Sequence, residues 1–313
     1  MTGAPPLIVV AGATATGKTA LAIELAERIT VQGRPAEIIS ADSRQVFRWL
    51  DIGTAKVTSA ERARVPHHGL DLVDPDEPFS VADFVDHATR VLHSLGDRGG
   101  VAILAGGTGM YLRAVARGLD TDALPSDPAV RARLENDLLA EGLPALVTRL
   151  QDAAPTLATQ VDLRNPRRVV RALEIASLQG DAPRPPARGY PGPVTWLGLT
   201  IEPDAHRARI GARARSQFDA GLIDEADALR RRYDPSLPAF TAIGYHEAWA
   251  VLDGEMTRDA AIELDVQHNV AFAKRQRTWF RAEHDVIWLD ATPGGSSASS
   301  VLGSPAVARL VDA

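Results

Sequence analysis

Leu7-Ile8-Val9-Val10 is a four-residue apolar run that breaks into a Gly-rich turn, and from Thr19 to Ile29 apolar residues return at helical spacing. The pattern predicts strand, loop, helix. Glu37-Ile38-Ile39-Ser40-Ala41-Asp42 reads as a second strand ending in a carboxylate. Val101-Ala102-Ile103-Leu104 reads as a third, opening into Gly106-Gly107-Thr108-Gly109, with Val81 to Leu95 as the crossover helix between them. Strands alternating with helices imply a parallel sheet covered on both faces, whose ligands sit at the carboxyl ends of the strands. Three segments are therefore expected on one edge: 12–19, 42–45 and 106–109.

From about Leu124 the texture changes. Pro125-Ser126-Asp127-Pro128 precedes helical patterns over Val130 to Glu141, Pro144 to Gln151 and Pro166 to Leu178, with no strand pattern among them. The Pro-rich stretch Asp181 to Pro193 closes this block, and Val194 to Thr200 reads as another core strand. Helical patterns then dominate 205–232 and 259–281, Val286 to Leu289 reads as a late strand, and the Gly/Ser-rich Pro293 to Ser300 as a flexible connector to a short last helix. The predicted architecture is α/β: a phosphate-loop-containing parallel-sheet core flanked by helices, formed by residues 1–125 and 191–313, with an all-helical subdomain inserted over 126–190. No internal repeat is present.

Composition narrows the function classes without naming one. The 313 residues are 45% hydrophobic and 24% charged, an ordinary globular balance. Cysteine is absent, which excludes disulfides, a thiolate nucleophile, cysteine-ligated zinc and iron–sulfur clusters, and fits a reducing compartment. The apolar run Leu7 to Ala11 is too short for a membrane span or a secretion signal, and no basic stretch precedes it. A cytoplasmic protein without a membrane partner, monomeric by default, is expected. The net charge of -6 argues superficially against a polyanion partner, yet the 34 basic residues comprise only three lysines, Lys18, Lys56 and Lys274. The arginines, rigid bidentate donors, cluster at Arg164, Arg167, Arg168 and Arg171, at Arg207, Arg209, Arg213 and Arg215, and at Lys274, Arg275, Arg277 and Arg281. Any one cluster alone reads as a solvated face.

Gly12-Ala13-Thr14-Ala15-Thr16-Gly17-Lys18-Thr19 fits G-x-x-x-x-G-K-[ST] in full, between a predicted strand and a predicted helix. Such a loop turns successive N–H groups onto an anion, and the helix N-terminus adds its positive dipole end. Lys18 would reach a terminal phosphate and Thr19 a magnesium ion. The motif reports a di- or triphosphate; whether that group is hydrolysed, transferred or expelled stays open. The third strand runs into Ala105-Gly106-Gly107-Thr108 instead of a magnesium-binding acid, and Lys56 is followed by Val57-Thr58, so no guanine-reading N/T-K-x-D segment exists. Asp42 reads equally as a base near the phosphates and as a turn or cap acid before Ser43-Arg44-Gln45. His67-His68 lacks a third ligand and reads as structural.

Several further segments carry a resemblance. Ile39-Ser40-Ala41-Asp42-Ser43-Arg44-Gln45-Val46-Phe47, Asp51-Ile52-Gly53-Thr54-Ala55-Lys56, Pro66-His67-His68 and Gly106-Gly107-Thr108-Gly109-Met110-Tyr111 are followed in order by four more. These are Arg167-Arg168-Val169-Val170-Arg171-Ala172-Leu173-Glu174, Gly221-Leu222-Ile223-Asp224-Glu225, Ala242-Ile243-Gly244-Tyr245 and Lys274-Arg275-Gln276-Arg277-Thr278-Trp279-Phe280-Arg281. Together, over about residues 7–290, they closely resemble the tRNA dimethylallyltransferases, also called tRNA isopentenyltransferases.

The resemblance implies transfer of a dimethylallyl group from dimethylallyl diphosphate to N6 of the adenosine 3′-adjacent to the anticodon, in tRNAs reading codons that begin with U. Diphosphate is then a leaving group, which calls for an anion cradle and Mg2+ but no water-activating machinery. By the resemblance, Asp42 accepts the N6 proton, Thr108 holds the same adenine region, and Lys18, Thr19 and Arg213 steady the diphosphate. Arg213 matches the last arginine of the family's R-I-x-x-R, here Arg209 to Arg213, with Arg215 close by. A buried adenine must be splayed out of its stack to be reached. The anticodon stem-loop is expected to meet Arg131, Arg167, Arg168 and Arg171 on the insertion, Gly244, and Lys274, Arg275, Gln276, Arg277 and Arg281 on the late helix. Asp42, Ser43, Arg44, Gln45 and Thr108 complete that set, with Arg44 and Gln45 as edge contacts. Three departures stand out: Trp49 where the family has a small residue, Phe47 for a tyrosine, and Leu163-Arg164-Asn165 before Pro166. The expectation is retained catalysis, with tRNA preference as the property these departures could alter.

Overall fold

The computed structural model describes residues 3–119, 125–183, 186–292, and residues 305, 307 and 308. Strands β1 (Leu7–Gly12), β2 (Ala36–Ser40), β3 (His67–His68), β4 (Val101–Gly106), β5 (Val194–Thr200) and β6 (Val286–Asp290) form one sheet in the order β3-β2-β4-β1-β5-β6. Every neighbouring pair is parallel. The apolar runs of β1 and β4 are buried along their whole length, as strands covered on both faces must be. Alternation divides their side chains: Leu7, Val9, Leu104 and Ile39 pack with helices α3 (Val81–Asp97) and α4 (Gly109–Ala116). Ile8, Val10, Ile103 and Ile38 pack with α1 (Lys18–Val31) on the other side.

The second predicted strand stops at Ser40, so Ala41 and Asp42 stand just past its end. The edge strand β3 and the short helix α2 (Ser59–Arg64), which starts on a Thr58/Glu61 capping box, were not legible as periodic patterns. His68 Nε2 pairs with Glu37 Oε2 at 2.7 Å and His67 Nδ1 lies 2.7 Å from the Val65 carbonyl.

Contacts divide the chain into Met1–Gly118 with Gly189–Ala313, and Leu119–Arg188. The division starts before residue 126 because Pro125 already belongs to the helical unit, its carbonyl accepting from Arg171 Nη1 at 2.9 Å. That unit contains α5 (Pro128–Ala153), α6 (Pro155–Thr159) and α7 (Pro166–Gln179) around Leu134, Leu146, Leu150, Val169 and Leu173. The two helices expected over 130–151 are both present within α5, separated at Gly142, whose φ of 80° no right-handed helix accommodates.

In the larger unit, the helical stretch 205–232 splits at Gly221 (φ 101°) into α8 (Pro203–Asp219) and α9 (Leu222–Arg230). A 3-10 turn (Pro238–Thr241) and α10 (Tyr245–Leu252) follow, both too short to show a period, and then α11 (Arg258–Arg281). The connector read over Pro293 to Ser300 lies outside the described residues. Among the described residues no helix is long and apolar enough to cross a membrane.

Candidate active site

Register sets the site. Ser40 lies beside Ala105, Ala11 beside Gly106 and Gly12 beside Leu199, so β2, β4, β1 and β5 end level with one another. The segments 42–45, 107–109 and 13–19 leave from these ends. Backbone bonds from Ala41 N to the Ala105 carbonyl (2.8 Å) and from Thr108 N to the Ala41 carbonyl (3.1 Å) stitch the first two together. The approach is so close that a Cβ on Gly106 would lie 2.0 Å from the Ala41 oxygen, which only glycine permits. Thr108 Oγ1 then accepts from Ser43 N at 3.0 Å, setting that hydroxyl beside the Asp42 turn.

Asp42 Oδ1 accepts from Arg44 N at 2.8 Å, so the carboxylate does serve as a turn acid. It also stands within electrostatic reach of both Lys18 and Arg213. The loop 12–19 has Ala15 at φ 58° and Gly17 at φ 94°, the left-handed steps that curl its amides inward. Lys18 Nζ folds over it, donating to the Ala13 carbonyl at 2.8 Å. Burial, then repulsion from Arg213, lower the Lys18 ammonium to about 8 against the opposing pull of Asp42. Arg213 Nη1 donates to Thr14 Oγ1 at 2.7 Å, whereas Arg215 is exposed and lies over Gly211 of its own helix. Burial also lowers Arg213, while Asp42 and Asp265 favour its charge. Two cations held together at some cost, beside an anion-binding loop, form a site that a bound diphosphate would relax.

His206, which no motif announces, and Gln276, which the resemblance assigns to the RNA, complete the cradle. His206 of α8 is buried, with Nε2 donating to the Thr14 carbonyl at 2.8 Å and Nδ1 3.5 Å from Arg277 Nη1. Burial holds its pKa below the usual histidine range, in keeping with a neutral ring that donates through Nε2. Gln276, expected at the RNA, is buried: Oε1 accepts from Thr14 N (2.8 Å) and Nε2 donates to the Gly107 carbonyl (2.9 Å), tying the loop to the turn after β4. A cavity of about 550 Å³ opens on the β5 side of the loop, with Gly12 and Thr16 on one wall and Leu199, His206, Arg277 and Trp288 on the others. Thr19 is exposed on the first turn of α1.

This arrangement can be compared with known proteins. The family model described as IPP transferase matches residues 45–283. The tRNA dimethylallyltransferase of Anaeromyxobacter sp. (strain K) is 45% identical over 289 residues, covering 90% of this chain and 92% of that protein. The chain belongs to the tRNA dimethylallyltransferase family. The family member of Roseiflexus sp. (strain RS-1) is 42% identical over 289 residues, 91% of this chain and 93% of its own. The crystal structure of full-length tRNA isopentenylpyrophosphate transferase from Bacillus halodurans matches with a TM-score of 0.70 at 37% identity, covering 98% of this chain and 97% of that one. The chain is accordingly a prenyltransferase of this family, with the parallel-sheet fold that the alternation of strands and helices predicts.

Within the family framework the remaining expected contacts fall into two groups. Arg167, Arg168, Lys274, Arg275 and Arg281 are exposed. Arg131 and Arg171 are instead engaged by Glu174, a fully buried carboxylate: Arg131 Nη2 and Arg171 Nη1 reach its Oε2 at 2.8 and 2.7 Å. Burial would raise Glu174, but bonds from Arg171, the Asp127 amide and Arg131 outweigh it and hold the carboxylate low. Gly244 is buried, its N–H donating to Glu247 Oε2 at 2.8 Å, and Gln45 spans from Ser40 Oγ to the Thr54 carbonyl. Arg44 Nη2 donates to Thr241 Oγ1 at 2.7 Å.

The other family motifs meet at Glu225, whose carboxylate accepts from Asp51 N, Ile52 N, Gly53 N and the Tyr245 hydroxyl, the last at 2.7 Å. Nothing in the local pattern gives Glu225 or His206 its role, because each acts on backbone far away in the chain, and Glu174 joins its near neighbour Arg171 to the distant Arg131.

Proposed function

We propose that this enzyme transfers the dimethylallyl group of dimethylallyl diphosphate to N6 of the adenosine 3′-adjacent to the anticodon, in tRNAs reading codons that begin with U. The observation that carries the reading is Asp42 just past the end of β2, on the same sheet edge from which the phosphate loop leaves β1, with its negative charge favouring the charged forms of both Lys18 and Arg213. The N6 nitrogen forms a bond to the allylic carbon as the carbon–oxygen bond to diphosphate breaks. The bonding pair leaves with the diphosphate, and the N6 proton passes to Asp42. Loop amides, Lys18 and Arg213 hold the departing charge where it develops, and Thr108 positions the adenine edge. Since Arg44 N already orients Asp42 through Oδ1, the carboxylate is fixed before substrate arrives.

Mg2+ fits this donor set. Among the described residues no group of three or more His, Asp or Glu could hold a metal, while Thr19 offers a hydroxyl at the helix start. Thr19 would help hold the ion, which would supply positive charge against the diphosphate. Exposed Arg167, Arg168, Lys274, Arg275 and Arg281 supply phosphate contacts that place the RNA.

The test incubates the protein with magnesium, dimethylallyl diphosphate and an unmodified tRNA of this class, then weighs the digested nucleosides. Dimethylallyl-adenosine should form, and Asp42→Asn should slow it by about 100-fold or more, since the amide keeps the turn but accepts no proton. No added mass, with ATP turnover in the absence of RNA, would sink the reading in favour of a small-molecule kinase.

A further inference from the structure

Trp49 combines three properties that its neighbourhood does not require. Its ring is 48% exposed, and its backbone is left-handed at φ 71°, a conformation that L residues with bulky side chains rarely adopt and glycine adopts freely. The Arg232 guanidinium lies 4.8 Å from the centre of the indole ring and 5.3 Å from that of Tyr233. Arg230 and Arg231 are neutralised by Asp227 and Asp253, whereas among the described residues Arg232 meets no carboxylate, only these rings and the Tyr233 hydroxyl. An exposed indole with an unneutralised guanidinium over it offers a π surface and a positive charge together. That pairing suits a nucleotide, whose base stacks while its phosphate is attracted.

The position joins the feature to the catalytic edge. Arg44, two residues after Asp42, donates to Thr241. Next to Thr241, Phe240 packs on Tyr233 with ring centres 6.5 Å apart, and Tyr233 leads through Arg232 to Trp49. An unbroken run of contacts therefore links the Asp42 turn to the indole.

We propose that Trp49 and Arg232 form a stacking platform for an unpaired base of the RNA substrate that flanks the reactive adenine. The proposal rests on the tRNA reading above and adds to it a specificity-determining contact. The left-handed backbone at Trp49 costs the fold while the exposed ring is free to stack, so replacing it should weaken RNA binding without weakening the fold.

The experiment compares wild type, Trp49→Gly and Trp49→Phe for KM of tRNA, KM of dimethylallyl diphosphate, and thermal midpoint. It also measures binding of an anticodon stem-loop RNA carrying an abasic site at each loop position in turn. Trp49→Gly should raise KM for tRNA roughly 5- to 50-fold, the range of one base stacked on an aromatic. KM for the diphosphate should stay within about twofold, the midpoint should rise or hold, and Trp49→Phe should restore much of the loss. One abasic position alone should abolish the difference between wild type and Trp49→Gly. Equal RNA affinity of wild type and variant would overturn the platform while leaving the transferase reading intact. A wild type that modifies no tRNA would overturn both. A change in self-association with unchanged RNA affinity would give the surface to a second copy of the chain and overturn the proposal.

Discussion

Replacing Lys18 by methionine should make the free protein more stable while disabling it. The ammonium is lowered from 10.5 to about 8 by burial first and by Arg213 second, which corresponds to about 3 kcal/mol against the charged form. The substitution forfeits the hydrogen bond to the Ala13 carbonyl, worth about 1 kcal/mol. The net expectation is about 2 kcal/mol of stabilisation at pH 7, or a rise of about 3 °C in the thermal midpoint for a chain of this length. Because the folded value lies below the unfolded one, the penalty in wild type is constant below pH 8. It falls as pH rises from about 8 to 10.5 and is gone above that. Melting curves of wild type and Lys18→Met at pH 7, 8, 9 and 10 should therefore converge as pH rises. Binding of inorganic diphosphate at pH 7, measured by calorimetry, should weaken about 100-fold or more in the variant. A variant less stable than wild type at pH 7, or a stability gap constant from pH 7 to 10, would refute the reasoning that the cradle is charge-strained when empty.

Glu225→Gln should destabilise by about 2–4 kcal/mol in denaturant titration, because the amide has one acceptor oxygen where the carboxylate receives three backbone N–H groups and the Tyr245 hydroxyl. Gly109→Ala should cut turnover about 100-fold in a steady-state transfer assay, since the new Cβ would lie 2.1 Å from Trp279 Nε1 and displace the Thr108 turn. Arg167→Ala with Arg168→Ala should leave the midpoint of melting unchanged, both side chains being exposed. The same pair should weaken tRNA binding and flatten its salt dependence by about one to two in log–log slope.

The sheet was legible because continuous apolar runs and a Gly-rich phosphate motif are local signals, and parallel strands carry their chemistry to one end by topology alone. Asp42 shows where local reading runs out. Its two readings, turn acid and base, look like alternatives, yet one carboxylate oxygen accepts from Arg44 N while the charge of the group still favours the cationic forms of Lys18 and Arg213. The arginines teach the same lesson from the other side. Arg131, Arg167, Arg168 and Arg171 look alike in sequence, but buried Glu174 engages Arg131 and Arg171 and leaves the other two exposed. Glu225 reaches residues 51–53 across more than 170 positions of chain, so Asp51-Ile52-Gly53, Gly221 to Glu225 and Tyr245 could be matched to relatives without any visible reason to belong together. The reason is a hydrogen-bonding account: the turn at 51–53 points three N–H groups inward, and a distant carboxylate must meet them. What a charged residue does here is decided by the partner that burial assigns to it, and a single sequence encodes that partner only through the completed fold.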